Sequence, residues 1–302
     1  MIDKHFEINK DTWFAGGIWT WTGFVPANEY ALKVSKPAME ACREKHIDNI
    51  IITAWGDDGA ECSLFSILPT LYAAKRFYDG EENLETIKKE FKEIFDLDFD
   101  DFMSLSDINN TVKTKRVDII HNPSKYLLYN DPLTGILDYK VSLGDDDYFA
   151  NIAQRFTAIA ERLKDYGYIA NHLSKLASVL EIKNSLGVKL RTAYKHNDKE
   201  TLKQLIERMD ILIDRLDAFI DAFRTSWYIE KKTFGFDVEE IRLGGLRQRV
   251  KEARLRIEEY LSNKIDIIEE LEQDVLPFIY NDNSDEPTCF NQYIAIASPN
   301  KL

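Results

Sequence analysis

The fold is decided by the stretch Ile50–Glu61, which reads I-I-I-T-A-W-G-D-D-G-A-E. Its first four residues are all β-branched, and such a run has the length and content of a buried strand. A polar loop with two glycines follows, and from Leu64 onward the apolar residues recur at helical spacing. A buried strand, a short loop and a helix make the βα unit of an α/β protein, whose ligands bind beyond the carboxyl ends of the strands. We therefore expect functional residues in this loop.

A second strand is predicted in the aromatic segment Trp13–Phe24, which reads W-F-A-G-G-I-W-T-W-T-G-F. We expect this strand to end near Trp19 or Trp21. A helix with Ser35 as its N-cap and a proline in its first turn is then predicted to run to about His46. The order strand, helix, strand, helix implies that the two strands pair in parallel through a crossover helix.

Beyond Tyr78 the signals for strands nearly stop and helical patterns take over. A helix is predicted over Leu84–Phe95 and a shorter one within Asp96–Leu105, followed by an irregular region, 109–147, that contains several turns. Apolar residues then recur every three and four positions through a series of long segments, which indicates a helical bundle. In the tail, the pattern of Gln292–Ala297 is compatible with a short strand. The predicted bundle helices are Phe149–Tyr166, Tyr168–Lys195, Lys199–Glu230, Val238–Tyr260 and Lys264–Leu276.

The overall composition is that of a globular protein: of 302 residues, 44% are hydrophobic and 30% charged, with a formal net charge of -13. Nucleic acids and anionic membrane surfaces both need a basic face, so neither is expected as a partner. The three cysteines, Cys42, Cys62 and Cys289, are far apart, and they predict neither a disulfide framework nor a metal site. No apolar stretch is long enough to span a bilayer and no signal-peptide pattern is visible, so a cytoplasmic location is the expectation.

Three segments carry a resemblance to a known family. The first two are W-F-A-G-G-I-W-T-W-T-G-F-V-P (Trp13–Pro26) and T-A-W-G-D-D-G-A-E (Thr53–Glu61). They resemble the end of the catalytic domain of glycoside hydrolase family 20, in the β-N-acetylhexosaminidase branch that carries an all-helical C-terminal domain. The third, F-G-F-D-V-E-E-I-R-L-G-G-L (Phe234–Leu246), resembles that helical domain. The resemblance thus runs over most of the chain, and its two N-terminal motifs are the more specific.

The resemblance implies a fold of the class α/β plus all-α. The family's catalytic domain is a (β/α)8 barrel, in which Trp13–Trp21 would be the seventh strand and Ile50–Trp55 the eighth. Residues 1–105 would then be a C-terminal fragment of the barrel with its last two βα units. Residues 106–147 would be an irregular connection, and residues 148–302 would be an all-α helical bundle domain.

The resemblance also implies an activity. The family removes a terminal N-acetylglucosamine or N-acetylgalactosamine with retention, and the substrate's own acetamido oxygen is the nucleophile. An Asp–Glu pair on the fourth strand polarises that group and protonates the leaving oxygen. Because Met1 comes just before the predicted seventh strand, we expect the pair to be absent from this chain, as in a truncated gene product, a fragment or half of a split protein. No catalytic residue, metal or cofactor is therefore assigned.

The candidate substrate-binding residues follow the two predicted strands. Trp55 is the strongest candidate, because an indole packs well against the apolar face of a sugar ring. The resemblance implies that Asp57 accepts hydrogen bonds from the 4- and 6-hydroxyls of the terminal sugar, where many members have the longer glutamate. Asp58 and Glu61 could share that role or cap the following helix. A calcium or magnesium site built from these carboxylates is a lesser alternative.

The remaining candidates have competing structural interpretations. Trp19 and Trp21 are two residues apart, so within a strand they would point to the same side and either wall the sugar pocket or pack in the core. Several arginines lie among glutamates on predicted helices and are predicted to be solvated or ion-paired on the surface. These arginines are Arg242, Arg247, Arg249, Arg254 and Arg256.

Two functions remain open at this point. The leading one is the C-terminal part of a β-N-acetylhexosaminidase that binds the terminal N-acetylhexosamine of glycans, and the alternative is a non-catalytic helical interaction protein that retains part of a barrel. Strands without their barrel neighbours would expose edges and an apolar inner face. We therefore predict self-association or the binding of a separately made barrel fragment.

Overall fold

The computed structural model describes residues 2–113, 119–279, 286 and 288–300. In these ranges a small two-stranded sheet accompanies many helices, and the predicted C-terminal helical domain is confirmed. Short 3-10 helices lie at Leu64–Ile67, Ser104–Asn109, Asp138–Lys140 and Lys164–Tyr166. The other elements are α1 (Ile2–Ile8), β1 (Phe14–Gly17), α2 (Asn28–Glu44), β2 (Ile50–Thr53), α3 (Leu68–Asp79), α4 (Leu84–Phe95), α5 (Phe99–Met103), α6 (Pro123–Tyr129), α7 (Asp145–Arg162), α8 (Gly167–Lys195), α9 (Lys199–Glu230), α10 (Phe236–Leu261), α11 (Glu269–Glu272) and α12 (Tyr293–Ala297).

Strands β1 and β2 pair in parallel through the crossover helix α2, which confirms the predicted pairing. Phe14 is in register with Ile50. Both strands end earlier than the sequence predicts. Just beyond β1, the Ile18 N–H donates a hydrogen bond to the Thr53 oxygen at the end of β2, at 3.0 Å. Trp19 then adopts a left-handed φ of 50°, which ends the extended conformation.

The two faces of this sheet have different surroundings. On one face, Ile50 and Ile52 line a hollow together with Met39 of α2 and Leu71 of α3. On the other face, Ala15 is exposed and Ile51 keeps 46% of its surface accessible. Within the described part of the chain, this second face stays open to solvent.

Helix α2 begins at Asn28, well before the predicted start at Ser35, and Pro37 lies inside it. The reason is tertiary packing, which buries one side of the helix along its length, from Asn28 and Ala31 onward. The Asn28 amide also donates to the Phe102 oxygen at 3.2 Å. These contacts outweigh the hydrogen bond that a proline removes from a helix interior.

The bundle packs helices α7, α8, α9 and α10 in sequence order, each against the next. Its core extends into the N-terminal unit, residues 2–105, because Phe24, which follows β1, is buried against α9. The Phe24 ring meets the rings of Phe219 and Phe223 edge-on, with centroid distances of 5.6 and 5.7 Å. The N-terminal unit and the bundle therefore share one hydrophobic core.

Helix α6 lies in the segment 106–147, for which the sequence predicts an irregular connection. Every residue of α6 is buried, and the helix packs against α8. The helix starts at Pro123, and proline is favoured in the first turn of a helix. The limits of the three predicted domains, 1–105, 106–147 and 148–302, stay a prediction.

Two C-terminal predictions are wrong. Of the predicted helix Lys264–Leu276, only Glu269–Glu272 is helical. Arg191 of α8 donates to the carbonyl oxygens of residues 270, 271 and 273, which a longer helix would pair with its own N–H groups. Residues Gln292–Ala297 contain helix α12 rather than a strand, and no strand in the described ranges lies beside them to pair with.

Candidate functional site

Trp55 lies two residues beyond the end of β2, and 59% of its surface is exposed. Its position is fixed from two sides: the indole N–H donates to the Thr53 Oγ1 at 2.9 Å, and the Trp55 backbone oxygen accepts from the Thr20 Oγ1 at 2.7 Å. No aromatic ring in the described part of the chain packs against this indole. Trp55 therefore offers an apolar ring face to solvent at the carboxyl end of a parallel strand.

Trp19 and Trp21 lie beyond the end of β1 rather than within a strand. Their rings nevertheless contact each other, with centroids 5.5 Å apart, and Trp19 also meets Tyr30 edge-on at 4.8 Å. Trp21 covers Gly17, where a Cβ atom would come within 2.5 Å of the indole ring. The two rings thus form a half-buried aromatic group at the same end of the sheet as Trp55.

Asp57 is exposed in the loop between Gly56 and Asp58. In the described ranges its carboxylate has no ion pair or side-chain hydrogen bond, whereas Asp58 and Glu61 are both engaged by cations. Of the three candidate carboxylates, Asp57 alone is therefore available to an incoming hydroxyl group. Whether Asp57, Asp58 or Glu61 contacts a sugar stays a prediction.

Glu61 is buried and forms an ion pair with Lys125 of α6, with the two charged atoms 2.7 Å apart. The side chain of Lys125 is 0% exposed, and its Nζ also donates to the Asp58 backbone oxygen at 3.1 Å. On the other side of the loop, Arg242 of α10 pairs with the Asp58 carboxylate at 2.8 Å and donates a hydrogen bond to Glu239 Oε1 at 3.2 Å. We call Asp58, Glu61, Lys125, Glu239 and Arg242 the anchor cluster.

The anchor cluster contains three residues that sequence reasoning missed. The sequence pattern did not indicate Lys125 or Glu239 as site residues. Arg242 is predicted to lie on the surface, but only 11% of its side chain is exposed. The signal that could have found two of them is the segment Phe234–Leu246, which carries both Glu239 and Arg242 and contributes to the family resemblance. In the described residues, no group of three or more His, Cys, Asp or Glu is placed to hold a metal ion.

Gly59 lies against the anchor cluster in a left-handed conformation, with φ +126°. A Cβ atom at this position would come within 2.4 Å of Arg242 Nη1 and 2.6 Å of Glu239 Oε1. Glycine is needed here both for the backbone conformation and for the close approach of the two side chains.

Burial changes the titration of the cluster. It raises the pKa of Glu239 to about 8, and the nearby negative charge of Glu61 acts in the same direction. Burial also raises the pKa of Glu61, although Lys125 and Arg242 oppose the shift. At neutral pH the Glu239 carboxyl therefore keeps its proton, and one negative charge fewer is buried in the cluster.

The raised pKa of Glu239 predicts that stability falls with rising pH. Between its ordinary value of 4.5 and about 8, the folded chain holds a proton that the unfolded chain has lost, so the free energy of unfolding decreases over this range. We expect Glu239→Gln to make that decrease shallower, as measured by urea unfolding from pH 5 to pH 8.

The neighbouring Glu240→Gln is the matched control, because Glu240 is exposed on the same helix and should leave the pH dependence as it is. An unchanged slope in Glu239→Gln would show that this carboxyl does not titrate as described. The groups that face Glu239 are Glu61, Asp58, Lys125, Arg242 and Tyr129.

Residues 100–290 match the family model described as Glycoside Hydrolase 20C C-terminal domain. The matched range is more than half of the chain, and it holds helices α6–α10 together with Lys125, Glu239 and Arg242. The chain belongs to this family, which confirms the resemblance to glycoside hydrolase family 20. A comparison with curated proteins finds no match. In the ranges that the structure describes, every helix is too short or too polar to cross a membrane.

Proposed function

We propose that this chain is the C-terminal part of a β-N-acetylhexosaminidase and forms one side of the pocket for a terminal N-acetylglucosamine or N-acetylgalactosamine. The observation that carries the proposal is the exposed pair Trp55 and Asp57 at the carboxyl end of a parallel strand, in a chain of a family 20 domain. An indole face and an available carboxylate suit the apolar face and the hydroxyl edge of a sugar ring.

The two-stranded sheet supports placing the N-terminal unit at the end of a (β/α)8 barrel. In such a barrel each strand turns one face to the outer helices and the other to the interior. Here Ile50 and Ile52 face α2 and α3, whereas Ala15 and Ile51 lie on the open face. This open face is what we propose the other barrel strands cover.

In the proposed reaction the chemistry of bond cleavage belongs to the substrate's acetamido group and to the family's Asp–Glu pair. That pair is expected on the fourth strand, outside these 302 residues. The residues of this chain would bind and orient: Trp55 packs on the sugar ring, and Asp57 accepts hydrogen bonds from its hydroxyls. Asp58 and Glu61 are held by Lys125 and Arg242, which favours a structural role for both carboxylates.

The first test is assembly. We define the assembled enzyme as this chain together with the six preceding strands of a family 20 barrel, on the same or on a separate polypeptide. Alone, the chain should not hydrolyse a chromogenic N-acetylglucosaminide, because a general acid contributes roughly 10²–10⁴-fold in rate. With the preceding strands it should form a complex, seen by light scattering, and gain turnover. A complex without turnover would favour the alternative of a non-catalytic interaction protein.

The second test concerns the sugar contacts. In the assembled enzyme, Asp57→Ala should lower kcat/KM by about 10- to 150-fold, because a hydrogen bond to a charged group is worth about 1.5–3 kcal/mol. Trp55→Ala should lower it by a comparable factor. Trp13→Ala is the matched control, since Trp13 is 58% exposed but precedes β1 at the opposite end of the sheet. Glu207→Ala, an exposed carboxylate on α9, is the control for Asp57. An unchanged kcat/KM in Asp57→Ala would move the assignment to Asp58 or Glu61.

A further inference from the structure

The loop that carries Trp55 and Asp57 continues into a segment whose backbone is held by the helical domain, taken here as residues 100–290, the range that matches the family's C-terminal domain. The Asp58 oxygen accepts hydrogen bonds from Lys125 of α6 and from Arg242 of α10, at 3.1 and 2.7 Å. Lys231, which follows α9, donates to the backbone oxygens of Ala60 and Cys62 at 2.6 and 2.9 Å. Three cations from three parts of the helical domain thus bind alternate carbonyl groups of one loop.

Side chains add to these backbone contacts. Glu230, the last residue of α9, accepts from the Ser63 hydroxyl and, at 2.7 Å, from the Leu64 N–H. The Asp58 carboxylate accepts from the Tyr293 N–H of α12, and the Arg242 guanidinium lies over the Tyr293 ring, 4.9 Å from its centroid. The loop is therefore fixed from the bundle and from the C-terminal tail at once.

The backbone of the loop needs this support. Asp58 and Ala60 both have left-handed φ values, 53° and 52°, which residues other than glycine rarely adopt. Such conformations persist only where the surrounding structure over-determines them. Without the three cations we expect the loop to relax, and Asp57, which directly precedes Asp58, would relax with it.

We propose that Lys125, Lys231 and Arg242 are positioning residues, through which the helical domain sets the place of Asp57 beyond the end of β2. This inference rests on the proposed function, because it assigns the helical domain a part in the same sugar site. The helical domain then contributes to substrate recognition although none of the three cations contacts the sugar.

The test uses Arg242→Met, Arg242→Lys and Lys231→Met in the assembled enzyme. Arg247→Met is the matched control, because Arg247 lies on the same helix and pairs with Asp217 of α9 rather than with the loop. Two quantities are measured: NMR backbone order parameters of residues 56–62, relative to α8, and the affinity for N-acetylglucosamine-thiazoline, a mimic of the family's reaction intermediate.

In Arg242→Met and Lys231→Met, the order parameters of residues 56–62 should fall from the range of rigid backbone, about 0.85, to below about 0.6 while those of α8 stay unchanged, since charge-assisted hydrogen bonds to the carbonyl groups of the loop are lost. Thiazoline affinity should fall by about ten-fold or more. Arg242→Lys should restore part of both, and Arg247→Met should change neither.

The two proposals fail in different ways. If the order parameters of residues 56–62 are unchanged in Arg242→Met and Lys231→Met, the positioning role is overturned, whatever the affinity. If the loop becomes mobile but thiazoline affinity is unchanged, the positioning role is likewise overturned. If the unmodified assembled enzyme does not bind the thiazoline, the proposed function itself is overturned, and the order parameters then establish only an anchored loop.

Discussion

Lys125→Met is expected to lower the free energy of unfolding by about 3–5 kcal/mol, because it removes the nearer partner of a buried ion pair and leaves the Glu61 carboxylate with only Arg242, 3.8 Å away. Neither Lys125 nor Glu61 has an appreciable exposed side-chain surface, and their charged atoms are 2.7 Å apart. The Asp58 oxygen loses a hydrogen-bond donor in the same variant. Urea unfolding at pH 7 measures the effect.

Two further variants make this expectation specific. The double variant Lys125→Met/Glu61→Gln should recover part of the loss, because no unpaired carboxylate is then buried. Lys203→Met, which removes an exposed pair with Glu200, should change stability by about 0–1 kcal/mol. A Lys125→Met chain as stable as the parent would contradict the description of the anchor cluster as a buried, cation-dependent contact.

Phe24→Ala is expected to cost about 3–5 kcal/mol of stability, the range found when a large buried aromatic side chain is truncated. Phe24 is 1% exposed. It follows β1, and its ring packs against two phenylalanine rings of α9 in the hydrophobic core. Because the N-terminal unit and the bundle share this core, the loss should appear in one cooperative unfolding transition.

The matched control for Phe24 is Phe234→Ala, since Phe234 is exposed in the turn before α10 and should change stability little. Two separate transitions in the parent chain, with Phe24→Ala affecting only the first, would show that the N-terminal unit and the bundle unfold independently. That outcome would contradict the shared core.

The helices predicted most accurately from the sequence are those with local start signals. Helix α4 begins after Asn83, whose side chain accepts from the Glu85 N–H at 2.9 Å, and α9 begins after Asp198, whose side chain accepts from the Thr201 N–H at 3.0 Å. Both have the predicted bounds, because an N-cap and a long apolar stripe are visible in the sequence itself.

The elements that the sequence misplaces depend on distant residues. Helix α2 extends through Pro37 because its buried side packs along its whole length, and α11 is a single turn because Arg191 binds carbonyl groups within it and the carbonyl group of Gln273 just beyond it. Propensity and spacing carry no information about such partners. Tertiary contacts therefore decide these bounds.

The candidate site likewise contains residues that the sequence indicates and residues that only the tertiary structure brings together. The positions of Trp55 and Asp57 just beyond a strand follow from the βα pattern, so the sequence could indicate them. The anchor cluster could not be predicted, because Lys125 is 64 residues from Glu61 and Arg242 is 184 residues from Asp58. A lone buried lysine and an arginine among glutamates have no spacing that would join them to the loop.

The most direct test of the account is a crystal structure of the assembled enzyme with N-acetylglucosamine-thiazoline bound. We expect the Trp55 indole to lie against the pyranose ring and the Asp57 carboxylate to accept hydrogen bonds from its 4- or 6-hydroxyl, while Asp58 stays paired with Arg242. A sugar held by Asp58 or Glu61, with Asp57 left in solvent, or a sugar bound away from the carboxyl ends of β1 and β2, would contradict the account.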